Sequence, residues 1–294
     1  MLRPIMQSPG GVLRDLMAKD TVVMPGVFNA ISAVSAHKAG AQALYLSGAG
    51  ITNSSLGVPD IALATLGEFA QQAAYVTQVA PVPVLSDADT GFGESLNVAR
   101  TVIEMERSGL AGIHLEDQVS PKRCGHLDGK TCIEPEQMAQ KITAAVSSKR
   151  DPSFVIVART DARGVEGLES AIDRAKRYVD HGADAIFPEG LSSEKEFEAF
   201  RLAVTAPLLA NMTEFGKTPI IPVRRFRDMG YQMVIFPMTA FRVMLKALDD
   251  TYEELLATGT QAGLMDRMRT RQELYDRIDY AEYDEMDRVW SGKP

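Results

Sequence analysis

"VPVLSDADTGFGESLNVARTVIEMERSGLAGIHLED", residues Val82–Asp117, decides the fold. It opens with a short apolar run that ends in acidic residues. A glycine-rich turn follows, then "NVARTVIEMERSG", whose apolar residues recur three and four apart before a glycine stops the helix. A second apolar run, "AGIHLED", completes the unit. Strand, helix and strand in that order make the repeat of a parallel sheet, whose strands are apolar on both faces because both are covered.

The alternation extends in both directions. Upstream stand "TVVMPG" from Thr21 and "ALYLSG" from Ala43; downstream come "SFVIVART" from Ser153, "ADAIFPEG" from Ala183, "APLLANM" from Ala206 and "QMVIFPM" from Gln232. "LESAIDRAKRYVDHG" repeats the helix with its closing glycine. Eight strands alternating with helices predict a single (β/α)8 barrel domain over 1–294. The rival is a doubly wound nucleotide-binding sheet. Its GxGxxG fingerprint fails in "SGAGIT" and "GFGESL", because the third glycine position holds Asn53 and Leu96. Residues 250–294 read as a helical C-terminal extension, with "YEELLA", "TRQELYDRIDY" and the only tryptophan, Trp290. Its apolar spacing suits packing on the barrel or a subunit interface.

The chain carries 31 Lys and Arg against 39 Asp and Glu, a net charge of -8, which disfavours nucleic acid and anionic membranes as partners. Two cysteines make no disulfide framework and no zinc motif. No apolar stretch suits a signal peptide or a membrane span, so a cytoplasmic, reducing location is expected.

In such a barrel the active site lies at the C-terminal ends of the strands, where the polar residues here collect. Ser47-Gly48-Ala49-Gly50 ends the second strand, with Asp60 in the loop beyond; Pro188-Glu189 ends the sixth, and Asn211-Met212-Thr213-Glu214 the seventh. Asp87 and Asp89, two apart, point the same way in an extended chain, with Glu116 on the neighbouring strand. Clustered carboxylates resist ionisation unless a cation joins them, and oxygen ligands suit Mg²⁺, or Mn²⁺ in its place. An isolated DxD is otherwise a solvated acidic turn; the strand end and Glu116 favour the metal.

"PKRCGH" lies in the connection from about Gln118 to Cys132, before a helix starting at Pro135. A connection of that length is a candidate lid. Most cysteines are structural, but Lys122, Arg123 and His126 surround Cys124 with positive charge, which favours proton exchange by its thiol. His37 and His181 fall in helical segments and read as structural; His114 alternates with Glu116 and faces metal or core. Arg159, Arg242 and Arg271 are candidate carboxylate anchors, Arg159 foremost because it ends a strand.

On "YLSGAG", "LSDADTGFG", "HLEDQVSPKRCGH", "VIVARTDA", "FPEG", "LLANMTEFGKTP" and "TRQELYDRIDY", the chain resembles the isocitrate lyase/phosphoenolpyruvate mutase superfamily over nearly its whole length. "KRCGH" belongs to the branch that breaks carbon–carbon bonds, and "NMTEFGKTP", where the long isocitrate lyases carry a serine-rich motif, favours the methylisocitrate-cleaving members. The resemblance implies a barrel whose last helix is exchanged between subunits of a homotetramer. It also implies an Mg²⁺-dependent cleavage of a 2-hydroxy tricarboxylate in propionate breakdown. Asp87 and Asp89 would hold the metal with Asp60 and Glu116 nearby, and Arg159 would stabilise the carbanion. Cys124 would be the general acid beside Lys122, Arg123 and His126, and Tyr45 a base or relay. Ser47, Gly48, Ala49, Gly125, Glu189, Asn211, Met212 and Thr213 would line the substrate, with Phe187 and Met238 shaping its pocket. The alternatives are a sister enzyme acting on isocitrate, 2,3-dimethylmalate or oxaloacetate, or a non-catalytic metabolite-binding barrel.

Overall fold

Each of the eight apolar runs forms a strand in a computed structural model, which describes residues 8–123, 125 and 129–292. They are β1 (Val22–Val27), β2 (Leu44–Leu46), β3 (Val84–Asp87), β4 (Gly112–Glu116), β5 (Val155–Thr160), β6 (Ala185–Pro188), β7 (Leu209–Asn211) and β8 (Met233–Phe236). All paired strands are parallel, in the order β6-β5-β4-β3-β2-β1-β8-β7. A parallel bridge between Ile186 and Leu208 joins the two ends and closes the ring. Among the described residues the strand order shows no dinucleotide-type switch.

The helices are α1 (Pro9–Lys19), α2 (Ala30–Lys38), α3 (Gly48–Ile51), α4 (Leu66–Val79), α5 (Ser95–Arg107), α6 (Pro135–Ser147), α7 (Leu168–Asp180), α8 (Glu194–Ala203), α9 (Val223–Met229), α10 (Thr239–Thr258), α11 (Arg271–Arg277) and α12 (Tyr280–Ser291). In α5, Val98, Val102 and Met105 form the buried stripe, and the chain leaves the helix through Gly109 at φ 84°. That left-handed conformation is open to glycine at little cost, which is why the sequence marks the stop there.

Strand parity sorts the core into two layers. Leu44, Leu46, Ile113, Leu115, Ile156, Ala158 and Ile186 point outward and pack with the helices. Met24, Tyr45, Leu85, Val155, Val157, Phe187, Leu209 and Met233 form the inner cluster. Each fully buried Val, Leu, Ile or Phe contributes roughly 1.5–3 kcal/mol. Leu13 of α1 joins the inner cluster, with Leu16 and Met17 packed against it.

The chain divides into two compact units, Met1–Phe241 and Arg242–Pro294. The first holds the barrel. The second begins within α10, ahead of residue 250, and contains α11 and α12; from Arg242 onward Leu264 is the only buried residue among those described. No described helix is long and apolar enough to cross a membrane.

Candidate active site

The inward face of the barrel changes character along each strand. Val155 and Val157 on β5 are followed at the same parity by Arg159 and, past the strand end, Asp161. Gly112 on β4 leads to His114 and Glu116, Leu85 on β3 to Asp87, Phe187 on β6 to Glu189, and Leu209 on β7 to Asn211. The register places Glu116 opposite Arg159 and Asp87 opposite His114, so charged residues from separate strands meet at one end.

Arg159 is the centre. Its Nε and Nη2 donate to Asp161 at 2.9 and 3.2 Å, Nη1 lies 3.0 Å from Glu116 Oε2, and Nη2 lies 3.8 Å from Glu189 Oε2. Phe187 covers it, the guanidinium carbon standing 5.2 Å from the ring centre. Asn211 Nδ2 donates to Glu189 Oε2 at 3.0 Å and the Gly190 N–H to Oε1 at 2.8 Å, which fixes that carboxylate. Gly125 packs on this corner: a Cβ there would lie 2.5 Å from Glu189 Cγ and 2.6 Å from Arg159 Nη2. Lys130 Nζ donates to the Gly125 carbonyl and, at 2.7 Å, to Asp161.

The second focus is Lys122, whose Nζ lies 2.6 Å from Asp60 and 2.9 Å from Asp89. Burial opposes its charge, but Asp89, Glu116, Asp87 and Asp60 raise its pKa well above the usual lysine value. Burial pushes Asp89 up to about 7 against the pull of Lys122, and pushes Glu116 well above the ordinary glutamate value against that of Arg159. A third group joins Tyr45 OH to His114 Nε2 at 2.8 Å, with Asp87 Oδ1 3.5 Å from the same nitrogen. Burial holds His114 neutral, its pKa down to about 4, while burial and Asp87 push Tyr45 well up. Tyr45 therefore keeps its proton, and the tautomer of His114 sets which of the two donates in that bond.

The carboxylates suit a hard divalent cation. Both oxygens of Glu116 and Oδ1 of Asp89 are buried without a hydrogen-bond donor of good geometry, although each carboxylate has an ion-pair neighbour. Asp87 faces the backbone of Gly48, where a Cβ would lie 2.6 Å from Oδ2. Among the described residues no three His, Cys, Asp or Glu side chains form a metal cage. Mg²⁺ needs none, since one or two carboxylates, water and substrate oxygens complete its shell. The donor set fits it. A cleft of about 670 Å³, lined by Leu63, Thr65, Phe92, Arg100 and Ser120 among others, reaches Asp89.

The structure departs from the sequence reading in one local respect. Asp89 is not the extended partner of Asp87: its φ is 46°, and its N–H donates to Asp87 Oδ1 at 2.9 Å. The two carboxylates consequently serve different neighbours, His114 and Lys122. Lys122 turns inward and is buried beside Asp60 and Asp89. Arg123 is exposed, tied through its backbone to Gln118, and Cys124 and His126 lie outside the described residues.

Ser47 Oγ accepts from Gly50 N at 3.1 Å and donates to Met238 Sδ at 3.5 Å, with Ala49 on the short α3 that follows. Met212 is buried and accepts from Ile221 N through its sulfur; Thr213 is half-buried just beyond β7. Arg242 and Arg271 belong to the second unit, on α10 and at the start of α11. His37 lies on α2, and His181 bonds Thr143. Cys132 is a free thiol that burial pushes up. Sequence reasoning missed Asp161, Asp117 and Lys130. For Asp161 the signal was available, since it stands two residues past Arg159 at the same inward parity.

A closed parallel barrel with buried carboxylates and guanidinium at its C-terminal mouth defines a barrel enzyme built for a small polyanion. The chain matches the phosphoenolpyruvate phosphomutase family over residues 13–256 and belongs to that family, in the isocitrate lyase/PEP mutase superfamily. It is 55% identical to the 2-methylisocitrate lyase of Aeropyrum pernix over 294 residues, all of this chain and 94% of the relative. It is 44% identical to that of Salmonella typhimurium over 291 residues, 98% and 99% of the two chains. Among solved structures it is similar to 2,3-dimethylmalate lyase, with TM-score 0.91 and 35% identity over 97% and 96% of the chains. Oxaloacetate acetylhydrolase with 3,3-difluorooxalacetate gives 0.91 and 36% over 97% and 98%.

Proposed function

We infer that the chain is a carbon–carbon lyase that cleaves 2-methylisocitrate to pyruvate and succinate. The observation that carries this reading is the Arg159 corner: a buried guanidinium held by Glu116 and Asp161, with the backbone of Gly125, next to Cys124 in the chain, packed against it. Relatives 42–55% identical that bear the name 2-methylisocitrate lyase support the substrate.

Asp87 and Asp89 would hold Mg²⁺, with Asp60 and Glu116 behind them, to supply a Lewis acid that favours the substrate 2-alkoxide. In this reading Tyr45, hydrogen-bonded to His114 beside Asp87, would act as base or relay for the hydroxyl proton. As the alkoxide becomes the pyruvate carbonyl, the electron pair of the broken bond passes to succinate as its aci-carboxylate. Arg159 offers fixed positive charge to that dianion in a site shielded from water, where it is worth more than in solution. Cys124 delivers the proton that completes succinate. Ser47, Gly48, Ala49, Glu189, Asn211, Met212 and Thr213 surround the carboxylates, and Phe187 and Met238 the methyl group. Arg242 and Arg271 remain candidate carboxylate anchors, and the protein in this reading is a homotetramer.

The test is product analysis by NMR with 2-methylisocitrate, isocitrate and 2,3-dimethylmalate given separately, with and without EDTA. Pyruvate and succinate are expected fastest from 2-methylisocitrate, and only without chelator. Glyoxylate from isocitrate at a higher rate would move the substrate to a sister enzyme's. Cys124→Ser is expected to fold normally and lose orders of magnitude in turnover; an active variant would remove Cys124 as the acid.

A further inference from the structure

Behind the Arg159 corner lies a buried group that the reaction scheme does not use. Asp117 follows the last residue of β4 and is fully buried, with one carboxylate oxygen for each of two tasks. Oδ1 accepts the Asp161 N–H at 2.9 Å. Oδ2 accepts the Tyr178 hydroxyl at 2.8 Å and lies 3.4 Å from Arg174 Nη1. Tyr178 and Arg174 stand one turn apart on α7, so they reach from the same helix face. Arg174 is anchored in turn by Glu166, at 2.6 and 2.9 Å, and donates to the Ile133 carbonyl at 2.8 Å.

The β4–β5 register ends at Glu116 and Arg159, and the Asp117 N–H still reaches the Arg159 carbonyl at 3.2 Å. Past that point the carboxylate of Asp117 replaces the missing strand partner of Asp161. The chain then turns into Ala162–Gly164, and the Asp161 side chain returns onto Arg159 with two hydrogen bonds. Removing the acceptor would strand a buried N–H, a penalty that the turn avoids by moving.

We infer that Asp117, held by Tyr178 and Arg174, is a positioning residue: its carboxylate sets the turn from which Asp161 grips and orients Arg159. The inference rests on Arg159 serving the carbanion, as proposed above. Its effect therefore belongs to turnover more than to substrate binding.

The full chain is compared with Asp117→Leu, Tyr178→Phe and the conservative Asp117→Asn, which keeps an oxygen for the Asp161 N–H. The readouts are kcat and KM for 2-methylisocitrate, per folded enzyme, and amide hydrogen exchange in the segment 160–164. Asp117→Leu is expected to lose about ten- to a hundredfold in kcat while KM stays within about twofold, as for a small misplacement of a catalytic group. Asp117→Asn recovers part of that loss. Exchange at 160–164 speeds up in Asp117→Leu and Tyr178→Phe without change in β1 or β8. A merely structural residue would lower the melting temperature and leave kcat per folded molecule alone. Wild-type kcat or wild-type exchange in the folded variants overturns the inference; if Asp117→Leu does not fold, Tyr178→Phe decides. A wild-type chain that fails to cleave 2-methylisocitrate would overturn the proposed function, and the exchange readout would then decide the role of Asp117 by itself.

Discussion

Gly125 meets the corner with its backbone alone, and that makes a single methyl group a sharp probe. The Cβ of Gly125→Ala would fall 2.5 Å from Glu189 Cγ and 2.6 Å from Arg159 Nη2. Neither neighbour yields easily, because Asn211 and Gly190 hold Glu189 while Asp161 holds Arg159. Overpacking of this kind costs typically 1–3 kcal/mol, and a displaced guanidinium converts that into about a tenfold or greater fall in kcat. The expected variant melts within a few degrees of wild type yet turns over slowly; undiminished kcat would place Gly125 away from the reacting atoms. The same corner shows which site residues a sequence exposes. Arg159 is conspicuous as a cation ending an apolar run, and Asp87 and Glu116 likewise. Asp117 and Lys130 are not, since what they do depends on Tyr178, Arg174 and Asp161, 31 to 61 residues away in the chain. Asp89 was found for its composition but misplaced in direction, because alternation holds only for extended backbone and its φ is 46°.

At the level of elements, the connection after β4 is shaped by one side chain at its root. Gln118 accepts from the Arg123 N–H at 2.9 Å and donates to the Arg123 carbonyl at 2.8 Å. The strands of the connection meet through the Gln118–Cys132 bridge and the bond from Val119 N to Thr131 O at 2.9 Å. This ribbon brings Lys122 down onto Asp60 and Asp89. Gln118→Ala removes both side-chain bonds and leaves Arg123 with its N–H and carbonyl unpaired, a loss of about 0.5–1.5 kcal/mol for each bond. We expect kcat to fall several-fold with little change in urea midpoint, since the ribbon lies outside the strand core; wild-type kinetics would mean that the Lys122 pairs fix the turn unaided. All eight strands were legible because each is mostly buried and reads as a short, largely apolar run. The helices were legible through their stripes and through stops such as Gly109 and Gly182, at φ 84° and 97°. Strand ends were blurred by one to three residues, because ladder hydrogen bonds stop where the partner strand stops, and a single chain segment carries no sign of its partner.

The barrel unit and the second unit differ in kind at the scale of the whole molecule. The barrel has two continuous apolar layers, whereas the second unit buries only Leu264 among its described residues. On α10, Leu245, Leu248, Tyr252 and Leu256 recur three and four apart and are all exposed, Leu256 at 88%. Val289 and Trp290 of α12 are exposed as well, the tryptophan at 78%. Soluble monomers rarely leave contiguous apolar patches beyond a few hundred Å² in water, and a stripe of this spacing belongs against another helix or sheet. In the function proposed above, the cover is a second copy of the chain. Sedimentation velocity at micromolar concentration should therefore give a mass that is a multiple of 32.0 kDa. Replacing Leu248 and Tyr252 together by Glu puts two charges into the stripe, and burying them unpaired would cost several kcal/mol. That variant should sediment as a monomer with its far-ultraviolet spectrum retained, because the barrel layers do not include either side chain. Its kcat should fall if the second unit contributes to a neighbouring site. A fully active monomeric wild type would remove the intersubunit role and leave the exposed stripe as a feature of the isolated chain.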